Sequence, residues 1–319
     1  MKRGQPGQRP KRHLGPKADQ IRDALVAFSS QVDPLAGISD AERLGCLVRQ
    51  IIDSVRRVEF VKRLATSNHD NAVGDPSSDR FDPLKAAVLR VKQGDHDDAV
   101  WLVFLAVHFG KHGRDGWSLV RAIYGRGGSG GVWNWKSAST KTPEFVEWLN
   151  AHQSMLRKFR FSNHRKYESL DAYSAAGTGS VVVSFVDWIK TAGSFAELVR
   201  QIHKQVGQEP TEVFDALYVS MKTVRRFGRL AKFDFLTLLG KLGIAPIFPG
   251  SAYIGDNATG PFAGMRLLVK GSEKGELSRS EADAIAARLA GFLGIGLQEM
   301  EDSVCNWQKS PGAYKYFRG

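Results

Sequence analysis

Val224-Arg225-Arg226-Phe227-Gly228-Arg229-Leu230-Ala231-Lys232-Phe233-Asp234-Phe235-Leu236 is the stretch whose reading decides the fold. Phe227-Gly228 marks a tight turn, and Ala231, Phe235, Leu238 and Leu239 then recur at helical spacing. The N-terminus of such a helix presents backbone N–H groups that can hold a phosphate. Arg225, Arg226, Arg229 and Lys232 would add charge-assisted contacts around Gly228. A basic, solvated helix start is the competing reading of the same residues.

Working outward, the turn and its helix resemble a helix-hairpin-helix element. Gly294-Ile295-Gly296 is a weaker second candidate, which a plain helix C-cap explains equally well. Upstream, Phe161-Ser162-Asn163-His164-Arg165-Lys166-Tyr167-Glu168-Ser169 again interleaves cations with aromatics and contains a carboxylate. Asn163 suits a base edge, Arg165 and Lys166 a phosphate, Tyr167 a stacked base, and His164 can titrate. A basic loop with a buried tyrosine is the bland alternative. Downstream, Asp302 and Asn306 are four residues apart and share a helix face, with Val304 and Trp307 toward the core. That carboxylate serves either a site or a surface acidic turn.

The remaining chain reads as helices. Leu44, Leu47, Val48, Ile51, Ile52, Val55, Val58 and Val61 form one long amphipathic stripe with arginines and a lysine on the other faces. Thr66 to Asp82 is a polar loop. Asp98 to Phe109 is nearly all apolar and predicts a buried central helix, with His108 as a core histidine. The Gly/Ser-rich run from Gly125 to Gly131 lacks the Lys-Ser/Thr ending of a phosphate-cradling loop and reads as a flexible connection. Thr142 is expected to cap a helix that starts at Pro143. Val181 to Val183 suits a strand or a helix. No series of alternating strands appears, so the expected fold class is mainly α.

The chain has 319 residues, 42% hydrophobic residues and a net charge of +12, which favours a polyanionic partner. No apolar run is long enough to span a membrane. Cys46 and Cys305, the two cysteines, make neither a disulfide framework nor a zinc site, and fit a reducing compartment. Residues 1–18 read as a basic disordered tail and residues 19–319 as the helical domain.

Several ordered stretches are similar to the alpha-glutamyl/putrescinyl-thymine pyrophosphorylases and the helical domains found with hydroxymethyluracil DNA kinases. These are Trp101 to Leu105 with His108-Phe109-Gly110, Asn163 to Ser169, Gly177-Thr178-Gly179, Phe227 to Leu236, Thr259-Gly260-Pro261, and Glu301-Asp302 with Asn306-Trp307-Gln308. They span roughly Phe81 to the C-terminus. The resemblance implies a two-lobed fold like that of helix-hairpin-helix DNA glycosylases, with a site between the lobes. It also implies a hypermodified or glucosylated base as substrate, in phage DNA, and an antiviral role shared with some relatives.

The carboxylate departs from that pattern. Helix-hairpin-helix glycosylases place an essential aspartate about twenty residues beyond the hairpin glycine, which here falls near Phe248. Asp256 needs an insertion to serve, and Asp234 comes too early, so the choice stays open among Asp302, Asp234, Glu168 and Asp256. Bifunctional relatives carry a lysine two positions after the glycine, where this chain has Leu230. The expected activity is therefore monofunctional: a flipped base is excised and an intact abasic site is left. His164 or Tyr167 would hydrogen-bond the departing base, and no cofactor or metal is called for. The expected partner is double-stranded DNA with modified bases, without a membrane or an obligate protein partner, in a bacterial cytoplasm. A non-catalytic reader of modified DNA is the alternative, and an RNA binder a weaker one, since no usual RNA module is recognisable.

Overall fold

The computed structural model describes residues 15–317. Most of the expected basic tail lies outside the described residues. The helix begins at Gly15, earlier than the charge pattern suggests, because Ala18, Ile21, Leu25 and Phe28 recur on one buried face.

Among the described residues the chain forms fifteen α-helices and no β-strand. In order they are α1 (Gly15–Gln31), α2 (Ala41–Thr66), α3 (Pro83–Lys92), α4 (His96–Phe109), α5 (Ser118–Tyr124), α6 (Trp135–Thr140), α7 (Thr142–Ala151), α8 (Gln153–Leu156), α9 (Thr178–Lys190), α10 (Phe195–Val206), α11 (Pro210–Ser220), α12 (Arg229–Lys241), α13 (Gly260–Lys270), α14 (Arg279–Leu293) and α15 (Leu297–Trp307). The fold class is mainly α. Val181 to Val183 is helical, inside α9, because Val181, Val182, Phe185, Val186 and Ile189 are buried together at helical spacing.

Local chemistry sets many of the ends. Asp95 accepts from the Asp98 N–H, Ser194 from the Glu197 N–H, and Ser278 and Glu281 form a reciprocal capping box. Thr142 departs from its expected role as a cap. It is already helical, and its hydroxyl donates to the Ala138 carbonyl at 2.9 Å, while Pro143 still sits in the first turn. Gly294 takes the left-handed conformation that ends α14, so the C-cap reading holds there.

The chain divides into two compact units. One comprises residues 15–56 and 259–317, the other residues 57–258. In the first, α13 packs on α15 and α14 packs on α1, α13 and α15. Phe28, Met265, Leu289, Met300 and Trp307 are fully enclosed, and the Trp307 indole donates to the Arg43 carbonyl at 3.1 Å.

In the second unit, α4 is the central helix, and α3, α5, α6, α10 and α12 pack against it. Every residue from Asp98 to Phe109 is buried. Phe104 stacks on Phe185 at 3.8 Å and on Phe227 at 5.3 Å, which ties the hairpin turn to the core. Asp98 is a charged side chain within this core. Its carboxylate accepts from Arg90 Nε at 3.0 Å, the Tyr124 hydroxyl at 2.8 Å and the Trp135 N–H at 2.8 Å. Burial still pushes its pKa up, against these three donors.

Candidate nucleic-acid interface

The hairpin consists of α11, a turn over residues 221–228, and α12. Val224 and Phe227 are buried, and this anchoring turns Arg225 and Arg226 outward. The Arg225 N–H donates to Ser184 Oγ at 2.9 Å and its guanidinium to Ser180 Oγ at 3.1 Å, which fixes the turn on α9. Arg226 takes a positive φ of 58° and reaches Glu168 with both Nε (3.2 Å) and Nη2 (3.3 Å). Gly228 stands at the N-cap of α12 and no side chain caps that end. Its φ of −70° suits any residue, and a Cβ placed there would meet nothing within 4 Å. Neither backbone conformation nor packing demands this glycine. A glycine there puts no side chain over the first turn of α12, the end of a helix that favours an anion.

The segment from Asn163 to Glu168 splits in two. Asn163, His164, Lys166 and Tyr167 are exposed, and Tyr167 is 80% exposed. Arg165 turns inward instead, with 10% side-chain exposure. Its Nε donates to the Val107 carbonyl at 3.0 Å, and the Ser162 N–H donates to the Phe109 carbonyl at 2.9 Å. Both satisfy carbonyls at the C-terminal end of α4, where a cation is favoured by the helix dipole. Arg165 therefore anchors the segment, a role its outward-facing reading as a phosphate ligand did not foresee. Burial lowers its pKa, opposed by Asp234 and Glu168.

His108 lies directly beneath. Burial, reinforced by Arg165 and Arg226, pushes its pKa down to about 3, so it is neutral. Its Nε2 is 3.0 Å from Thr178 Oγ1, whose own proton goes to the Ser169 carbonyl. Nε2 must then carry the proton and donate. The Gly177-Thr178-Gly179 motif is explained by packing. A Cβ on Gly177 would lie 2.2 Å from the Asp171 carbonyl oxygen, and one on Gly179 would lie 2.0 Å from that of Ala172.

The four candidate carboxylates have four different surroundings. Glu168 is clamped by Arg226. Asp234, on α12, keeps 36% side-chain exposure and faces Arg165 at 3.8 Å. Withdrawal from water raises its pKa, and Arg165, Lys241, His164 and Arg229 oppose the rise. Asp302, in the other unit, accepts from Ser54 Oγ and from Asn306 Nδ2, both at 2.8 Å, and Lys309 donates to Asn306.

Asp256 sits on the loop that follows α12. That loop doubles back along the helix. Gly240 allows the reversal, since a Cβ there would lie 2.1 Å from the Ile247 carbonyl oxygen. Arg229 then donates to the carbonyls of Ala252 (2.5 Å) and Tyr253 (3.2 Å). The Tyr218 hydroxyl donates to Asp256 Oδ2 at 2.5 Å, and Lys232 Nζ lies 3.6 Å from the same oxygen and 3.9 Å from the Tyr218 ring centre. Tyr253 stacks on Tyr218 at 4.0 Å and donates to Asp215. Asp256 is 43% exposed, and its Oδ1 accepts from no described residue. Asp256 follows this reversal, which occupies residues 242–255.

Arg229 and Lys232, read from the sequence as phosphate ligands, are thus engaged with this loop. The hairpin joins two neighbours: Arg226 ties it to the segment bearing Tyr167, and Arg229 and Lys232 tie it to the loop bearing Asp256. Sequence reasoning missed Tyr218, Tyr253 and Asp215. The helical period of α11 marks Tyr218 as core, but nothing in the period says where its hydroxyl points. A cleft of about 510 Å³ opens beside the hairpin, with Trp188 and Leu198 among its walls and Asp187, Gln201 and Arg225 at its rim. None of the four candidate carboxylates lines it. Among the described residues no group of three His, Cys, Asp or Glu side chains converges as a metal site, and no helix is long and apolar enough to cross a membrane.

The sequence profile of the alpha-glutamyl/putrescinyl thymine pyrophosphorylases, clade 3, matches residues 42–319. The match begins at the start of α2, well before Phe81, so the long amphipathic helix is part of the shared domain. Comparison with curated proteins and with solved structures found no match. The chain belongs to the alpha-glutamyl/putrescinyl thymine pyrophosphorylase family.

Proposed function

We propose that the protein is a monofunctional DNA glycosylase that excises a modified base from double-stranded DNA, with Asp256 as the acting carboxylate. One observation carries this reading: an exposed aspartate with one oxygen open is held by Tyr218 and Lys232 on the helix pair whose turn ends at bare Gly228. The hairpin, in its helix-hairpin-helix role, would hold a phosphate next to the target nucleotide.

The bond between C1′ and the base nitrogen breaks, and its electron pair leaves with the base, which takes up a proton from solvent. Positive charge develops on the sugar, where ionised Asp256 stabilises it. Water adds at C1′, and its proton passes through Asp256 to solvent, leaving an abasic site. Leu230 stands where a Schiff-base lysine would be needed for strand cleavage. The family description points to a modified thymine as the base.

That same description supports a second reading, a reaction at the thymine substituent that releases pyrophosphate and keeps the N-glycosidic bond. Incubation with duplexes and phage DNAs carrying different base modifications separates the two. Mass spectrometry should find a free modified base, lost with Asp256→Asn. A nucleoside of changed mass still in the strand would establish the substituent chemistry. Binding without any product would leave a reader of modified DNA.

A further inference from the structure

We infer that Tyr167 is a stacking residue that enters a gap in the base stack of bound DNA. The inference rests on the DNA-binding part of the proposed function. The sequence offered Tyr167 two roles, a ring for a stacked base and a hydrogen bond to the departing base; the inference takes the first and places the ring in the gap of the duplex and not on the departing base.

An exposed aromatic residue alone signifies little. Tyr173, 67% exposed on the neighbouring loop, is such a residue. Tyr167 differs in three respects. Its loop is braced from below: Arg165 donates to the Val107 carbonyl, the Ser162 N–H to the Phe109 carbonyl, and the Glu168 N–H to the Arg165 carbonyl at 2.9 Å. Arg226 braces it from the hairpin side, donating to the Tyr167 carbonyl at 3.5 Å and gripping Glu168. The ring also has a cation beside it, with Lys166 Nζ 4.9 Å from its centre, and the polar side chains of Asn163 and His164 are exposed alongside.

A ring that is 80% exposed cannot be the wall of an enclosing pocket, so the departing base is not its ligand. What a braced, exposed aromatic ring beside a cation does fit is the face of an unstacked nucleobase, with a phosphate near Lys166. Its hydroxyl has no described partner, and stacking needs none.

The test uses the full chain and a duplex carrying a tetrahydrofuran abasic-site analogue opposite 2-aminopurine. Wild-type binding should change the 2-aminopurine fluorescence, and Tyr167→Ala should abolish that change. It should also weaken binding to this duplex about tenfold, a loss within the range of one base–aromatic stack, and leave binding to an intact duplex unchanged. Tyr167→Phe should behave as wild type, and Tyr173→Ala as a control should too. Equal loss in Tyr167→Phe and Tyr167→Ala would show that the hydroxyl acts, and would overturn the inference, as would a wild-type signal from Tyr167→Ala. If wild type binds and gives this signal but releases no base, the glycosylase reading falls while the stacking role stands. If wild type releases a base and Tyr167→Ala does so with unchanged fluorescence, the reverse holds.

Discussion

Asp256 and Asp302 are both hydrogen-bonded aspartates, yet their donors leave them with different freedom. Asp302 stands on the regular helix α15, with one oxygen taken by Ser54 and the other by Asn306. Asp256 stands on an irregular loop between positive-φ residues Tyr253 and Asn257, with Tyr218 and Lys232 on one oxygen and the other open. Two donors on two oxygens fix a carboxylate as part of the packing. Donors gathered on one oxygen orient it and leave the other for a reacting sugar or water. The strongest way to break this comparison is to substitute both residues. Asp256→Asn should lower turnover ~10³-fold, as removal of an acting carboxylate does, while DNA affinity changes little. Asp302→Ala should act on stability, by about 1–3 kcal/mol from the donors left unpaired, read as a shift in the urea midpoint. A turnover loss in Asp302→Ala as deep as that of Asp256→Asn would overturn the assignment.

Acid sharpens the same contrast, because a fall in activity below neutrality has two sources that must be separated. His108 is held neutral in the fold with its pKa near 3, against an ordinary value of 6.5. A depressed value means that the unfolded chain binds the extra proton between these limits. Stability is therefore complete above pH 6.5 and is lost as pH falls toward 3. Between pH 7 and pH 5 this one group should remove about 2 kcal/mol of stability. Urea titrations at the two pH values should show the drop, and His108→Gln should flatten it. Any acid loss of turnover that persists in His108→Gln belongs to the site and not to the core.

Tyr218→Phe tests the orientation of Asp256 directly. It removes one hydroxyl donor and leaves the ring stacked on Tyr253. Turnover should fall about tenfold, the worth of one hydrogen bond to a charged group, with DNA affinity unchanged. Equal turnover would mean that Lys232 alone holds the carboxylate.

Much of the framework was legible because it follows from period and caps. The eight-residue stripe from Leu44 to Val61 gave α2, and the apolar run from Asp98 to Phe109 gave the central helix, with His108 inside it. Residues whose role depends on a partner distant in sequence were not legible. Arg165 looks like its neighbours Lys166 and His164 in a basic run, and only the end of α4, about sixty residues earlier, turns it inward. Counting about twenty residues from Gly228 reaches Phe248 and not Asp256, because the loop that doubles back over residues 242–255 adds residues that no fixed spacing anticipates. Tyr218 carried no signal beyond its helical period, since a hydroxyl at the edge of a core is invisible to a pattern of apolar spacing.

The smallest expected effect separates two kinds of glycine, one that packing requires and one that it does not. Gly179 starts α9 where a Cβ would lie 2.0 Å from a backbone oxygen, so Gly179→Ala forces the 169–174 loop away and should cost stability by about 1–3 kcal/mol. Gly228 starts α12 where a Cβ would meet nothing and φ is −70°. There alanine should change stability by less than about 1 kcal/mol, the weaker N-cap being offset by a stiffer unfolded chain. If the N-terminus of α12 holds a phosphate, the added methyl crowds it, and loss of one backbone hydrogen bond of about 1 kcal/mol weakens DNA binding about fivefold. The loss should shrink in high salt, where phosphate contacts contribute less to affinity. A Gly228→Ala protein as stable as wild type and equally tight on DNA would remove the reason for the bare turn, and with it the phosphate from the hairpin.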